Sequence, residues 1–485
     1  SSVTDLVRSD GQRTDHPFSN LSIFVTAAEA FPAFEEALLA ARSEIAASFR
    51  VFDPQTKLRS PVARRCGETW EDRGLTVMTH SVNVRLANSD IDTLSRPAMP
   101  RATTRSVRQL QSLAASVPPG AGRLSVHAAR HPAEAGWLMR LVLLPIARKR
   151  MGEVADWLND MDAKARTDTL ELLPGLSGLL RLDGDLVAPA RWVLPRVYPA
   201  THHQKLAVID GQRLFIGGLD VNERRYDSPD HDRPAEETWH DIQISVDGPA
   251  AQDALSHLAR FEAETEGVLS PSPQRTLLRT LSRGRATPWA LSPRPLVTDL
   301  RQRFEAETAR ARQFIYVETQ FLRDRQIARS LARAGRARPE LSLVVVLPAA
   351  PEGVAFGHKN TADLRFGDGL QVRCLDMLRK AYGSRLALVS PAQPRAGDGD
   401  ARDQLGGAPI IYVHSKVAIF DDRAAIVSSA NLNGRSSAWD TEAGLCLTDT
   451  DQVRALRARL FEHWLGEDAP RSARDPRTIA TAWNA

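Results

Sequence analysis

The sequence predicts an α/β protein made of two tandem repeats, each a mixed β-sheet flanked by helices, related by a pseudo-twofold axis and sharing one active site. An internal duplication is the first observation behind this prediction. Residues 411–421 read Ile-Tyr-Val-His-Ser-Lys-Val-Ala-Ile-Phe-Asp, and residues 426–435 read Ile-Val-Ser-Ser-Ala-Asn-Leu-Asn-Gly-Arg. Earlier in the chain, 203–210 read His-Gln-Lys-Leu-Ala-Val-Ile-Asp and 215–224 read Phe-Ile-Gly-Gly-Leu-Asp-Val-Asn-Glu-Arg. The copies align without a gap: His203 with His414, Lys205 with Lys416, Asp210 with Asp421, Gly217-Gly218 with Ser428-Ser429, Asp220 with Asn431, Asn222 with Asn433, and Arg224 with Arg435. The second observation is a strand–helix–strand pattern at the start of the chain, the usual opening of an α/β domain.

Taken in order, residues 1–20 are polar and read as an arm. Residues 21–25 read as a strand. Residues 33–47 carry Phe34, Ala37, Leu38, Ala41 and Ile45 at helical spacing, and 49–52 read as the next strand. The alternation over 76–86 predicts another strand. The first repeat spans 21–265, with an insertion at about 95–195 that has no counterpart of equal length before the second motif. Three tryptophans, Trp137, Trp157 and Trp192, sit in it. Its segment 138–150 is apolar and ends Arg-Lys-Arg. Two readings are open for this segment: an interfacial stretch that dips into lipid, or a core helix whose basic end suits the helix dipole. The core helix is favoured.

Residues 266–292, rich in Ser, Pro and Arg, read as a linker. The second repeat spans 293–468. A helix ends over 308–312; strands are expected at 314–317, 341–347, 370–375 and 386–390. The Gly/Asp-rich stretch 394–409 is a surface excursion or a flap over the site. The tail, 469–485, is polar.

Composition sets limits. A chain of 485 residues, 42% hydrophobic and 25% charged, has room for two soluble domains of ordinary size. The net charge of +4 is mild. Of 63 Lys and Arg only seven are Lys, a bias that reflects genomic base composition, so arginine content is weak evidence for nucleic-acid binding. Two of those seven lysines occupy the duplicated motif. In a chain that uses Arg for most positive charges, Lys205 and Lys416 imply a need for a compact ammonium shared on a phosphate oxygen. Cys66, Cys374 and Cys446 are odd in number and far apart, as expected of free buried thiols in a reducing compartment. No apolar run reaches membrane-spanning length, and no signal peptide opens the chain as given. The expected location is cytoplasmic or peripheral to a membrane, in a bacterium, with secretion as the alternative.

Within each motif, flanking Val and Ile favour a strand. Residues two apart on a strand share a face, so His203 projects with Lys205 and His414 with Lys416. Asp210 and Asp421 fall in turns, and Asp210-Gly211 is a hairpin signal; both are read as structural.

At these residues the sequence resembles the phospholipase D superfamily, whose His-x-Lys-x4-Asp signature appears in both halves. Residues 238–250, opening Thr-Trp-His-Asp, look like the family's Trp-His-Asp segment, and 314–321 look like its Tyr-x-Glu-x-Gln strand. The form Gly217-Gly218-Leu219-Asp220 resembles the branch containing eukaryotic phospholipases D and their bacterial relatives. The likeness covers most of 20–265 and 293–465. It implies that one imidazole attacks phosphorus to give a phosphohistidine while the other protonates the leaving oxygen, with two lysines neutralising the phosphoryl oxygens. His203 is assigned as nucleophile and His414 as general acid. Asp241 and Glu442 are the acids expected to hold the imidazoles, in an order the sequence leaves open. Asn431 is a donor to phosphate; Asp220, at the matching position, has no settled role. Asn222 and Asn433 are expected to support backbone.

The implied activity is hydrolysis of a glycerophospholipid to phosphatidic acid and headgroup alcohol, with transfer to another alcohol competing. The alternatives are a phosphatidyltransferase of the cardiolipin synthase kind, a nuclease of the same superfamily, and a scaffold with a relict site. No cofactor or metal is expected: the close pairs His202/His203 and His127/His131 lack convincing partners, and the second reads as a surface pair. The expected partners are a phospholipid substrate and a peripheral membrane surface, with no nucleic acid, for a monomeric protein.

Overall fold

The computed structural model describes residues 18–59, 66–74, 82–88, 98–356, 362–397 and 403–484. In chain order the first half contributes β1 (Ser19–Val25), β2 (Glu44–Phe49), β3 (Asn83–Asn88) and β4 (Leu124–Ala128), then a separate hairpin of β5 (Leu180–Asp183) and β6 (Leu186–Pro189), then β7 (Leu206–Ile209), β8 (Arg213–Gly217) and β9 (Ile242–Asp247). The second half contributes β10 (Leu277–Arg283), β11 (Arg294–Thr298), β12 (Phe314–Glu318), β13 (Ser342–Val346), β14 (Leu386–Val389), a short hairpin of β15 (Gln404–Leu405) and β16 (Ala408–Pro409), then β17 (Val417–Phe420), β18 (Ala424–Ser428) and β19 (Glu442–Leu447). These form two large mixed sheets, ordered β1-β9-β8-β7-β2-β3-β4 and β11-β10-β19-β18-β17-β12-β13-β14.

The two orders superimpose, with β9-β8-β7-β2-β3-β4 matching β19-β18-β17-β12-β13-β14. In both, the last three strands run parallel and the rest of the matched set antiparallel. Parallel neighbours need crossovers. The helices Arg325–Ala337 and Ala362–Tyr382 supply them in the second half, and Ala98–Ser116 supplies the one between β3 and β4.

Strand parity explains how the sheets join. Leu206 and Val208 of β7 enter the same core as Val417 and Ile419 of β17, with Ile244, Val246, Leu445 and Leu447. The opposite faces, Ala207 and Ile209, and Ala418 and Phe420, enter separate cores under each sheet's outer helices. The sheets are therefore packed face to face over a shared apolar layer, each covered on its far side.

Several sequence expectations change. The first helix is Thr26–Leu39 rather than 33–47, and Ile45 belongs to β2: Ala27, Ala30, Phe31, Phe34 and Leu38 make one buried helical stripe, whereas buried residues follow one another through β2. Of residues 49–52, Phe49 ends that strand and Phe52 makes only an isolated bridge to Val221, so no new strand begins there. Of the strand read over 76–86, only 82–86 lie within the described residues, in β3 and the residue before it. Residues 370–375 are helical, because Cys374, Leu378, Ala381 and Tyr382 repeat at helical spacing into the second outer core. The segment read as a linker contains β10, bonded to both β11 and β19; its Leu277 and Leu281 are fully buried. Part of the presumed insertion, including Ala98–Ser116 and β4, belongs to the first sheet, so the material without a counterpart starts after Ala128. The polar tail carries a helix, Ile479–Asn484, whose Ile479 and Ala480 join the shared core.

The favoured reading of 138–150 as a core helix is also corrected. These residues lie in a helix Trp137–Asn159, but only its C-terminal part buries a stripe, Met151, Val154, Ala155 and Leu158. Trp137, Val142 and Ile146 are 51%, 62% and 64% exposed. Among the described residues no helix is long and apolar enough to cross a membrane. The three cysteines are free; Cys374 and Cys446 are buried, whereas Cys66 is exposed. His127 pairs with Glu262 at the surface (2.7 Å), but His131 is buried against the ring of His202, so the two are not a surface pair.

Candidate active site

β7 and β17 begin at Leu206 and Val417, one residue after each motif lysine. The His-x-Lys segments are therefore the extended approaches to these strands, and they keep the strand alternation. The middle residue anchors each approach: the Gln204 amide donates to Ser48 Oγ (3.1 Å) and its oxygen lies 2.5 Å from His257 Nε2, while Ser415 Oγ donates to Glu318 (2.6 Å). The histidine and lysine take the other side.

Each approach is stitched to the opposite half. His203 N–H donates to Thr441 O (2.8 Å) and Thr441 N–H to Thr201 O (2.9 Å). In the symmetric place, His414 N–H donates to His240 O and His240 N–H to Tyr412 O, both at 2.8 Å. Thr441 and His240 each precede an acid, so the acid of one half reaches the histidine of the other. Nδ1 of His203 lies 2.9 Å from Glu442 Oε1, and Nδ1 of His414 lies 2.6 Å from Asp241 Oδ2. The partnership that the sequence left open is thus a crossed one.

Both acids are fully buried. Ser429 Oγ donates to Glu442, and Ile242 N–H donates to Asp241 Oδ1 (2.9 Å). The Gly/Ser pair of the motif gains a reason here. A Cβ at Gly218 would sit 2.1 Å from Asp241 Oδ1, so glycine makes room for that carboxylate, while Ser429 in the matching place donates to Glu442. Burial pushes Asp241 up to about 6 and Glu442 up to about 7, against the pull of the lysine charges.

Lys205 and Lys416 are buried, and each ammonium donates to the carbonyl of its own motif histidine. Burial lowers both, Lys416 to about 7. Burial first, and then the adjacent lysine, hold each histidine well below the ordinary imidazole range. His414 also feels Lys205 and His203, and His203 feels Lys416. The four motif side chains therefore act on one another electrostatically across the boundary between the halves. With Nδ1 held by a carboxylate, a neutral imidazole keeps its lone pair on Nε2.

The other sequence candidates separate. Asp220 accepts the backbone N–H groups of Arg50 (2.9 Å) and Val51 (3.1 Å) and stands 3.7 Å from the Lys205 ammonium. It bonds no histidine, which explains how a carboxylate is tolerated at this position. Asn431 is buried, and its amide oxygen has no partner among the described residues. Asn222 and Asn433 cap short helices through Arg225 N–H and Ser436 N–H. Asp210 and Asp421 do more than fill hairpin turns. Each adopts a left-handed φ, 52° and 53°, and receives backbone N–H groups from the start of the neighbouring strand: Arg42, Ser43 and Glu44 in one half, Arg312, Gln313 and Phe314 in the other.

Sequence reasoning missed two arginines. Arg50 and Arg225 act electrostatically on His203 and His414, respectively; Arg225 is buried, with its guanidinium 3.8 Å above the Trp239 ring. Among 63 basic residues nothing marked them, since their place depends on strand ends brought together by folding. Trp239 also stacks on His414, with centroids 4.5 Å apart. The Tyr-x-Glu-x-Gln strand serves as a brace: Glu318 receives Tyr316 OH (2.6 Å), Trp464 Nε1–H (2.8 Å), Ser415 OH (2.6 Å) and His240 Nε2–H (2.9 Å). Gln393, just before the Gly/Asp-rich stretch, and Arg395, within it, donate to Arg233 O at 2.8 and 3.0 Å. Residues 398–402 of that stretch lie outside the described residues.

Comparison with known proteins agrees with this architecture. The family model described as "Cardiolipin synthase, PLD-like domain" matches residues 306–464. Phospholipase D alpha 3 of Arabidopsis thaliana is 23% identical over 364 residues, covering 50% of this chain and 44% of the relative. Phospholipase D alpha 2 of Oryza sativa subsp. japonica is 25% identical over 358 residues, covering 49% and 44%. The chain thus spans less than half the length of these curated relatives. The crystal structure of phosphatidylserine synthase from Haemophilus influenzae Rd KW20 shares the fold, with a TM-score of 0.54 at 12% identity over 96% of this chain and 94% of that one. Together, the paired sheets and these matches support a place for the chain in the phospholipase D superfamily, with the family model itself covering residues 306–464.

Proposed function

We propose that the protein is a phospholipase D-type phosphodiesterase that converts a glycerophospholipid to phosphatidic acid and free headgroup alcohol. The observation that carries this reading is the crossed pair of carboxylate–imidazole contacts, Glu442 on His203 and Asp241 on His414. Each fixes a tautomer, and each draws its two members from different halves, so one site needs both repeats.

In the proposed reaction, His203 Nε2 attacks phosphorus and the bond to the headgroup oxygen breaks. His414 gives that oxygen its proton, and the headgroup alcohol leaves. His414 then takes a proton from water, whose oxygen displaces His203 from phosphorus. Lys205 and Lys416 neutralise the phosphoryl oxygens throughout, with Arg225 adding positive charge beside His414. Burial and this positive charge weaken His414 as a proton carrier in the free site. An anionic diester bound beside it restores its proton affinity, so the acid is armed by substrate. Asp220 acts on Lys205 and the strand ends rather than on phosphate, and Asn431 faces the phosphate as its neutral counterpart.

A transferase reading has its own support: residues 306–464 match a family model described by cardiolipin synthase. Both reactions pass through the same phosphatidyl-histidine and differ only in whether water or an alcohol displaces it.

The exposed apolar face of Trp137–Asn159 suits the lipid side of this proposal. Trp137, Leu141, Val142 and Ile146 are all exposed along its N-terminal half. Leu138 N–H bonds Pro288 O (3.0 Å), placing exposed Trp289 beside the start of this helix, and Arg148 bonds Arg191 O (3.1 Å) beside Trp192. Aromatics rimmed by Arg148, Lys149 and Arg150 complement an anionic bilayer surface.

The test uses vesicles containing a phosphatidyl ester with a nitrophenol leaving group. The wild-type chain should turn over. His203→Asn should release nothing. His414→Asn should release one equivalent of nitrophenol as a burst and then stall, because that leaving group needs little acid assistance while water still needs a base. Near-wild-type turnover by either variant overturns the assignment. Added glycerol separates hydrolase from transferase by the ratio of phosphatidic acid to phosphatidylglycerol.

A further inference from the structure

A second group of imidazoles lies behind the first. His231, on the loop before the Trp-His-Asp segment, His240 within that segment, and His463, near the end of the helix Thr450–Leu465, each bring one ring nitrogen within 4.8 Å of the others. His231 Nε2 and His463 Nε2 are 3.0 Å apart, although 232 positions separate them in the chain. His231 and His240 are buried and His463 is partly exposed. None of the three is assigned a part in the chemistry above.

Their tautomers are set from outside the cluster. Asp227 Oδ2 lies 2.6 Å from His231 Nδ1, and the same oxygen accepts Trp239 N–H (2.6 Å). Glu318 Oε2 lies 2.9 Å from His240 Nε2. A carboxylate can only accept, so each contacted nitrogen carries the hydrogen. The lone pairs then fall on His231 Nε2 and His240 Nδ1. His240 Nδ1 is a buried atom without a hydrogen-bond partner among the described residues. A carboxylate behind one ring nitrogen with a bare lone pair on the other is how proteins orient imidazoles toward a metal. Burial disfavours protonation of His231 and His463, which keeps their rings neutral and ligand-competent. The His231 backbone is also held at φ 51°, a strained position for a residue with a side chain.

We propose that His231, His240 and His463 bind one divalent first-row transition cation, with zinc as the fitting ion. Three imidazoles are a borderline-soft donor set suited to zinc. Drawing three nitrogens to about 2.1 Å from one ion leaves them roughly 3.4 Å apart, so the His231–His463 pair opens slightly from 3.0 Å while His240, within 4.8 Å of both, draws in toward the partly exposed His463. A water completes the tetrahedron on that side. The role is structural: the ion ties the helix Thr450–Leu465 to the segment that ends in Asp241, the carboxylate holding His414. No proton or phosphoryl transfer passes through it.

The test is metal binding by the full chain. After chelation and desalting, the protein is incubated with excess zinc sulfate, desalted again and analysed by plasma mass spectrometry and by thermal unfolding. About one zinc per chain and a raised Tm are expected. His463→Asn and His231→Asn, the latter chosen because Asn tolerates left-handed backbone, should fall below about 0.1 zinc per chain and lose the Tm response. Cobalt(II) should give tetrahedral d–d bands in the wild type and not in the variants. Wild-type protein that retains no zinc, or variants that retain it as well as wild type does, would overturn the site. Neither result depends on turnover, so the proposed phosphodiesterase reaction stands or falls separately.

Discussion

The two halves of the molecule carry the same strand order and the same His-x-Lys approach, yet they treat one position differently. Asp220 and Asn431 occupy matching places after β8 and β18. Asp220 accepts two backbone N–H groups and faces the Lys205 ammonium, whereas Asn431 keeps a buried amide oxygen without a partner among the described residues. The comparison teaches that a duplicated site need not duplicate its electrostatics. One half holds its lysine with a local carboxylate; the other presents a neutral amide. The second difference is bulk. The material between β4 and β7, with its exposed tryptophan-bearing helix, has no equivalent between β14 and β17, where the short β15–β16 hairpin stands.

The largest effects should come from what the halves share. Replacing either lysine by arginine, Lys205→Arg or Lys416→Arg, should lower kcat by about 10² to 10³, because a planar fork cannot take the place of a buried ammonium aimed at one oxygen. Equal losses for the two lysines in headgroup-release assays support the symmetric site; a silent Lys416→Arg would break it.

The halves should then part at the unlike position. Asp220→Asn keeps an acceptor for the backbone but removes the counter-charge of Lys205, so it should cost about 1 to 3 kcal/mol of stability as well as activity. Asn431→Asp places a carboxylate where the proposed diester would bind. It should raise KM about tenfold while Tm moves little. Denaturant unfolding and steady-state kinetics separate the two; the reverse pattern would mean that the roles of the halves are exchanged.

A subtler difference concerns the two buried acids. Glu442 is raised to about 7 and Asp241 to about 6, with burial the main cause in each. A carboxyl raised in the folded state adds stability at pH values below its unfolded pKa, and that contribution fades as pH climbs through about 7. Glu442→Gln lacks this titration. Relative to the variant, wild type should therefore lose on the order of 2 kcal/mol between pH 4.5 and pH 8. Parallel stability curves for the two proteins would contradict the buried-acid assignment.

The smallest effect is reserved for the unmatched segment. Trp137→Ser with Ile146→Ser should leave turnover of a soluble short-chain diester unchanged but weaken binding to anionic vesicles about tenfold in a flotation assay. Unchanged vesicle binding would remove this face as the membrane contact.

Much of the frame was legible because it depends on local regularities. The doubled register located both histidines and both lysines, and alternating Val and Ile marked β7 and β17. Failures fell where local and long-range signals compete. Residues 370–375 look like a strand until Leu378 and Tyr382 extend the helical period. Residues 138–150 look like core because apolar sequence does not reveal whether anything covers it. Leu277–Arg283 looked like a linker because its pairing partner, β19, lies far along the chain.

What the sequence determined by itself was the register: which residues repeat, and hence which side chains share a face. Only the tertiary structure decided the pairings. That Glu442 serves His203 and Asp241 serves His414, that Arg50 and Arg225 lend charge to the site, and that His231 meets His463 all follow from two sheets packing face to face. Strand periodicity is a property of consecutive residues, written along the chain. Which carboxylate reaches which imidazole depends on distances between segments that only burial of the shared apolar layer brings together.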